Sequence, residues 1–234
     1  MNHAGWTAFL AAEGPGFAEI FFVSRRGDGG IDPVGSALIW FLLVLSLVNV
    51  ALIARRASAD RRERILPSEP VAQVRELVER DRFREAIDLA GNDPSDFGRM
   101  LAAAFAHAPA GPDEMVRALE QKSEELVLGR FRSLEWLNIL GQVSPMIGLF
   151  GTVYGMIVAF QTIASTGGAA DPALLAGGIG TALVTTFWGL LVAIPALSAY
   201  ATLRNKVDAT SREAEDAALE VVGLFRAGTA GKAG

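Results

Sequence analysis

The sequence predicts an all-α integral membrane protein, with three transmembrane helices and a charged helical block between the first and second. Three observations carry this prediction. Residues 33–53 (PVGSALIWFLLVLSLVNVALI) contain no charge. Two further apolar runs lie between Trp136 and Tyr200, where the ionisable side chains are Asp171, in a short Gly/Ala/Asp/Pro break, and the two tyrosines. The remaining charges gather in 55–135 and in the last thirty residues. Each apolar run reaches the roughly 20 residues that cross about 30 Å of hydrocarbon at 1.5 Å per residue. None shows the polar stripe that a soluble helix of that length would carry.

The chain divides into an outer N-terminal segment (1–32), a first span (33–54), a charged helical domain (55–135), a second span (136–164), a turn (165–172), a third span (173–203) and a C-terminal helix and tail (204–234). The first segment is not a standard signal peptide, since it lacks a basic n-region and Glu13 interrupts its short apolar patch. Trp6, Phe9, Phe17, Ile20, Phe21 and Phe22 suit a short interfacial helix; a flexible tail fits equally well. Asp32 followed by Pro33 is a helix-start signal. Asn49 is the one strongly polar residue inside the first span, and it either reaches the interface or bonds a neighbouring helix.

In 55–135, Val71, Val74, Leu77, Val78, Phe83, Ile87 and Leu89 have helix-like spacing, and Pro67, Pro70, Gly91, Pro94, Pro109 and Pro112 divide the block into short helices. From Asp113 a helix leads without a breaker into the second span. The tail from Arg204 reads as an amphipathic helix, with Val207, Ala214, Ala218, Val221 and Leu224 available for packing and a disordered Gly/Ala/Lys end.

The block 55–135 holds 14 Lys/Arg, the break 161–177 none and the tail from Ala201 five. The positive-inside rule therefore makes the block and C-terminus cytoplasmic and the N-terminus and break external. A net charge of −5 gives no reason to expect nucleic acid. With no cysteine, and only His3 and His107 for imidazole, neither disulfides nor a convincing metal cluster can be built, and no cofactor is expected. No nucleophile–base pair or phosphate loop points to an enzyme. His107, beside Ala and Pro, reads as a surface or packing residue.

In lipid, helices associate through close packing of small residues and through interhelical hydrogen bonds. The second span carries a small stripe at steps of three and four: Gly141, Ser144, Gly148, Gly151, Gly155 and Ala159. The third carries Gly178, Ala182, Thr186, Gly189 and Ala193. Gly and Ala are common in membrane helices, but a regular stripe on both helices favours a packing interface. Thr152 lies on the small face of the second span, and Thr181, Thr185 and Thr186 lie on the third. A hydroxyl in a membrane helix can simply bond its own i−4 carbonyl; three within six residues, beside an aligned small stripe, fit a polar path or polar partner better. Pro145 and Pro195 are expected to bend their helices. No Asp, Glu, Lys, Arg or His falls inside any span, whereas proton relays normally show one. A protonatable carboxylate would then come from another chain.

The runs SPMIGLFGTVYGMIVAF and GIGTALVTTFWGLLVAIPALSAY, with LEWLNI leading in, resemble the MotA/TolQ/ExbB proton channel family, most strongly over 134–200. Three spans and one cytoplasmic block match its ExbB/TolQ branch, the flagellar MotA branch having four spans. The resemblance implies an inner-membrane homo-pentamer, a helical bundle whose second and third spans line a central pore. It further implies a dimer of single-span ExbD/TolR-like partners in that pore, each supplying a membrane Asp, and a TonB- or TolA-like energy transducer. The family's pore-facing threonines map onto Thr152 and Thr186. Many members carry Glu where this chain has Thr181, so that Glu's role does not transfer. The competing expectation is an oligomeric scaffold around a partner helix that conducts no protons; ExbB-like and TolQ-like service are not separated by the spans.

Overall fold

The computed structural model describes residues 21–24, 30–168 and 172–230, and every regular element among them is helical. The expected interfacial helix over Trp6, Phe9, Phe17 and Ile20, the break residue Asp171 and the end of the tail lie outside these residues. The helices are α1 (Pro33–Ala59), α2 (Arg62–Ile65), α3 (Ser68–Glu79), α4 (Phe83–Asn92), α5 (Asp96–Ala106), a 3-10 turn (Ala108–Ala110), α6 (Pro112–Ser165) and α7 (Pro172–Ala230). The three long apolar helices, α1, α6 and α7, all begin on proline. That residue suits the first helical position because its missing N–H would have had no intrahelical acceptor there. Asp32 caps α1: its carboxylate accepts from the Val34 amide at 3.2 Å and the Gly35 amide at 3.1 Å. Pro145 and Pro195 both sit within unbroken helices.

The chain forms two compact units. The apolar unit holds 1–53 and 137–199, so it contains most of α1 and the apolar parts of α6 and α7. Its outer faces are lined by large hydrophobics: Trp40, Phe41, Val44 and Leu47 on α1, Met146, Leu149, Phe150 and Phe160 on α6, and Leu183, Leu190 and Ile194 on α7 are all exposed. A water-facing surface of that kind would aggregate, whereas a hydrocarbon surround or neighbouring apolar helices suits it. Asn49 is buried and donates from Nδ2 to the Val192 carbonyl at 3.0 Å, joining α1 to α7. Such bonds are worth about 0.6 kcal/mol on average and at most about 1.7 in membrane proteins. Asn49→Ala is accordingly expected to destabilise the unit by about 1 kcal/mol, read by unfolding in mixed micelles.

The charged unit holds 54–136 and 200–234. The C-terminal part of α7 is built into it: Ala214, Ala218, Val221 and Val222 join Phe97, Met100, Leu101, Met115 and Leu119 in one buried core. Exposed ion pairs Arg62–Glu213 at 2.5 Å and Arg75–Glu220 at 2.6 Å also link α2 and α3 to α7; pairs of this kind contribute roughly 0–1 kcal/mol each. A buried triad is more consequential. Arg130 on α6 donates from Nε to Asp96 at 2.6 Å and from Nη1 to Asp60 at 2.7 Å. Burial works against its charge, but the hydrogen bonds and charges of Asp96 and then Asp60 outweigh that, so the guanidinium pKa is raised.

Candidate functional site: the threonine pair and a buried carboxylate

The small stripes predicted on the second and third spans meet each other within one chain. A Cβ added to Gly155 would lie 2.5 Å from the Gly178 carbonyl oxygen, and one added to Gly178 would lie 2.7 Å from the Gly155 carbonyl oxygen. A Cβ at Gly189 would meet the Ser144 carbonyl at 2.7 Å, and one at Gly148 would meet the Thr185 carbonyl at 3.0 Å. Gly151 faces Thr185, Gly141 faces Leu197, Ala159 and Ala182 are buried along the same contact, and Ala193 is buried as well. Ser144 bonds its own helix, donating to the Leu140 carbonyl at 2.6 Å. Where backbones touch, only glycine fits, which explains why two apolar helices keep so much of a residue that costs about 1 kcal/mol in a helix interior.

That close approach brings the threonines together in part. Thr152 on α6 and Thr186 on α7 are half-buried and share a hydrogen bond of 2.5 Å between their hydroxyls. Thr152 also reaches the Ala182 carbonyl at 3.2 Å, and Thr186 the Gly148 carbonyl at 3.3 Å, so the pair is held across the seam by both helices. Thr185 is fully buried and donates to the Thr181 and Ala182 carbonyls of its own helix, the local bonding that any threonine can make. Thr181 is also buried, and its hydroxyl belongs to a different set of partners.

Those partners include a residue that the pattern of charges placed outside the spans. Asp32 is only 3% exposed. Besides the two amides it caps, its Oδ1 accepts from the Tyr154 hydroxyl at 2.9 Å and its Oδ2 from the Ser24 hydroxyl at 3.3 Å. Ser24 in turn shares a 2.5 Å hydrogen bond with Thr181, whose hydroxyl also lies 3.1 Å from the Gly177 carbonyl. A carboxylate at the start of α1 is thereby linked to the C-terminal quarter of α6 through Tyr154 and, through one serine, to α7. Gly35 makes the room: a Cβ there would run into Ser24 Oγ and lie 2.6 Å from Asp32 Oδ2. Beside this set, Phe21 and Phe22 pack on Phe187 and Trp188, and Trp188 Nε1 donates to the Phe21 carbonyl at 2.9 Å. Asp32 had been legible only as a helix cap; the available signal was the Gly–Ser pair in the first turn, which leaves one face of the cap open to a neighbour.

Comparison with known proteins gives one consistent picture. The model of the MotA/TolQ/ExbB proton channel family matches residues 78–216. The biopolymer transport protein exbB1 of Vibrio cholerae is 42% identical over 82 residues, 35% of this chain and 36% of that protein. The ExbB-like 3 protein of Synechocystis is 33% identical over 159 residues, covering 67% of this chain and 75% of that protein. The Tol-Pal system protein TolQ of Haemophilus influenzae is 35% identical over 109 residues, 45% of this chain and 47% of that protein. The matches thus span from about a third to three quarters of these relatives.

Proposed function

Starting from the fact that this chain belongs to the MotA/TolQ/ExbB proton channel family, in its ExbB/TolQ branch, we propose that it is the proton-channel subunit of an inner-membrane motor. Several copies, five by the family pattern, would surround single-span ExbD/TolR-like partners whose membrane Asp carries the proton. A TonB- or TolA-like transducer would use the motion to energise transport across, or maintenance of, the outer membrane. The N-terminus and the hairpin turn are assigned to the periplasm, and the charged unit to the cytoplasm.

The observation that supports this reading best is the Thr152–Thr186 hydroxyl pair, half-exposed between two spans that carry no charge. Paired hydroxyls can accept from and donate to a partner carboxyl without a charge of their own, which keeps the desolvation cost of the wall low. Each proton crossing the potential releases roughly 2.3 kcal/mol per 100 mV, enough for a step in a packed helical bundle. Pro145 and Pro195 would bend α6 and α7 around that step.

Thr152→Val and Thr186→Val test the assignment, since each keeps the shape and removes one hydroxyl. With the partner bound and the complex intact, proton flux is expected to fall by about tenfold, equivalent to a barrier raised by about 1.4 kcal/mol. Wild-type flux in both variants would remove the pair from the path.

A further inference from the structure

We propose that the charged unit holds a headgroup site for a zwitterionic phospholipid of the phosphatidylethanolamine type, with Arg56 taking the phosphate and Asp60 the primary ammonium. The proposal rests on α1 entering a bilayer and not on proton conduction.

Two buried polar atoms motivate it. Arg56 Nε and Asp60 Oδ2 are shielded from solvent, and neither has a hydrogen-bond partner among the described residues. Asp60 is 4% exposed and spends only Oδ1, on Arg130 at 2.7 Å. Leaving a buried charged donor or acceptor unpaired is costly, so such atoms mark a place that a further group is built to fill. Both residues line one cleft of about 730 Å³, a size typical of small-molecule sites. Arg64 and Arg99 also line it, and their guanidinium groups make no hydrogen bond or ion pair among the described residues. Residues 231–234, the undescribed part of the charged unit, contain no acidic side chain to pair with them.

Charge selects the class of ligand. The lining carries four arginines and five carboxylates, so a plain anion meets as much repulsion as attraction, whereas a ligand with both signs answers both orphaned atoms. Guanidinium suits phosphate because its planar fork of donors matches the phosphate oxygens. The buried carboxylate oxygen needs N–H donors: a primary ammonium brings three, and the trimethylated ammonium of choline brings none. Position selects a lipid over a free solute. Arg56 follows Ile53, the last residue of the apolar run, by three residues of the same helix, about 4.5 Å, which falls in the headgroup layer. Asp60 lies one turn farther out, and in phosphatidylethanolamine the ammonium likewise lies outward of the phosphate. The headgroup is admitted by rotation of the Arg56 side chain, which no hydrogen bond among the described residues holds.

The test titrates the full chain in delipidated micelles with phosphatidylethanolamine, phosphatidylcholine and phosphatidylglycerol of one acyl composition, and reads retained lipid by native mass spectrometry. The wild type is expected to bind phosphatidylethanolamine about tenfold more tightly than phosphatidylcholine, the effect of one charge-assisted hydrogen bond. Asp60→Asn keeps a carbonyl for Arg130 and puts an NH2 where Oδ2 stood, so the two lipids should then bind within about twofold of each other. Arg56→Gln should weaken both by about tenfold and keep their ratio. Equal binding of the two lipids by the wild type would overturn the proposal, as would a preference that survives Asp60→Asn. Tighter binding of phosphatidylglycerol than of phosphatidylethanolamine would mark an anion site and overturn it too. The wild-type ratio decides the matter even if Asp60→Asn fails to fold. Because lipid retention is read without transport, a complex that conducts protons and shows no lipid preference refutes this site and leaves the channel reading standing.

Discussion

Arg130→Ala is expected to destabilise the charged unit by about 3–5 kcal/mol, the range found when one partner of a buried ion pair is removed. Asp60 is 4% exposed and Asp96 6%, and Arg130 is the cation bonded to both. Asp60 Oδ2 is buried and already unpaired among the described residues, so the carboxylate has no spare partner to fall back on. Asp96 opens α5, where the helix dipole offsets only a fraction of the loss, and Ser95 already caps that end through the Gly98 amide at 3.1 Å. Thermal unfolding of the full chain in micelles measures the effect. Combining Arg130→Gln with Asp60→Asn and Asp96→Asn should recover most of it, because the large term is the stranded charge and not the net worth of the triad. An equally unstable triple variant would show that the side-chain geometry, and not charge, is what matters at this junction.

Gly155→Val is expected to force α6 and α7 apart and to cost about 3 kcal/mol, at the upper end of ordinary overpacking. The obstruction is backbone: the first added carbon meets the Gly178 carbonyl at 2.5 Å and the Ala182 amide nitrogen at 2.9 Å, and neither can swing away like a side-chain tip. Thr152 lies three residues before Gly155 on the same helix, and its partner Thr186 lies one turn beyond Ala182, so the hydroxyl pair should be lost together with the seam. Gly180→Val is the matched control. It sits on the facing helix, α7, with nothing within 4 Å of an added Cβ, and it should leave unfolding in mixed micelles nearly unchanged. If the two variants unfold alike, helix propensity and not interhelical contact explains the glycine stripe.

The spans were legible because hydrocarbon imposes a simple rule: a long run without charge has little alternative but a helix. The starts were legible as well, since Asp32-Pro33 and the proline at 112 act locally. The amphipathic spacing of Ala214, Ala218 and Val221 pointed to a buried face but not to its partner, which is the core around Phe97 and Leu101. The small stripes predicted a close interface, and their periodicity cannot say whether it lies within a chain or between chains; the observed contacts join α6 to α7 of one chain. Asp32 was least legible. Its burial depends on Tyr154 and Thr181, 122 and 149 positions away, and a local reading of charge ends at the helix cap. The Arg130 triad hides for the same reason, its partners lying 34 and 70 positions away in surroundings crowded with other charges.

On the proposed reading, a chain whose spans lack charge borrows its proton carrier from a partner chain, and the threonine wall is where that carrier would sit. The most direct measurement is proton flux into liposomes containing the complete complex of this chain and its single-span partner, driven by an imposed pH gradient. A proton-channel subunit predicts flux that requires the partner's membrane Asp and falls with Thr152→Val. Intact complexes that pass no protons, in vesicles where an added proton carrier does, would contradict it and leave the chain as a scaffold.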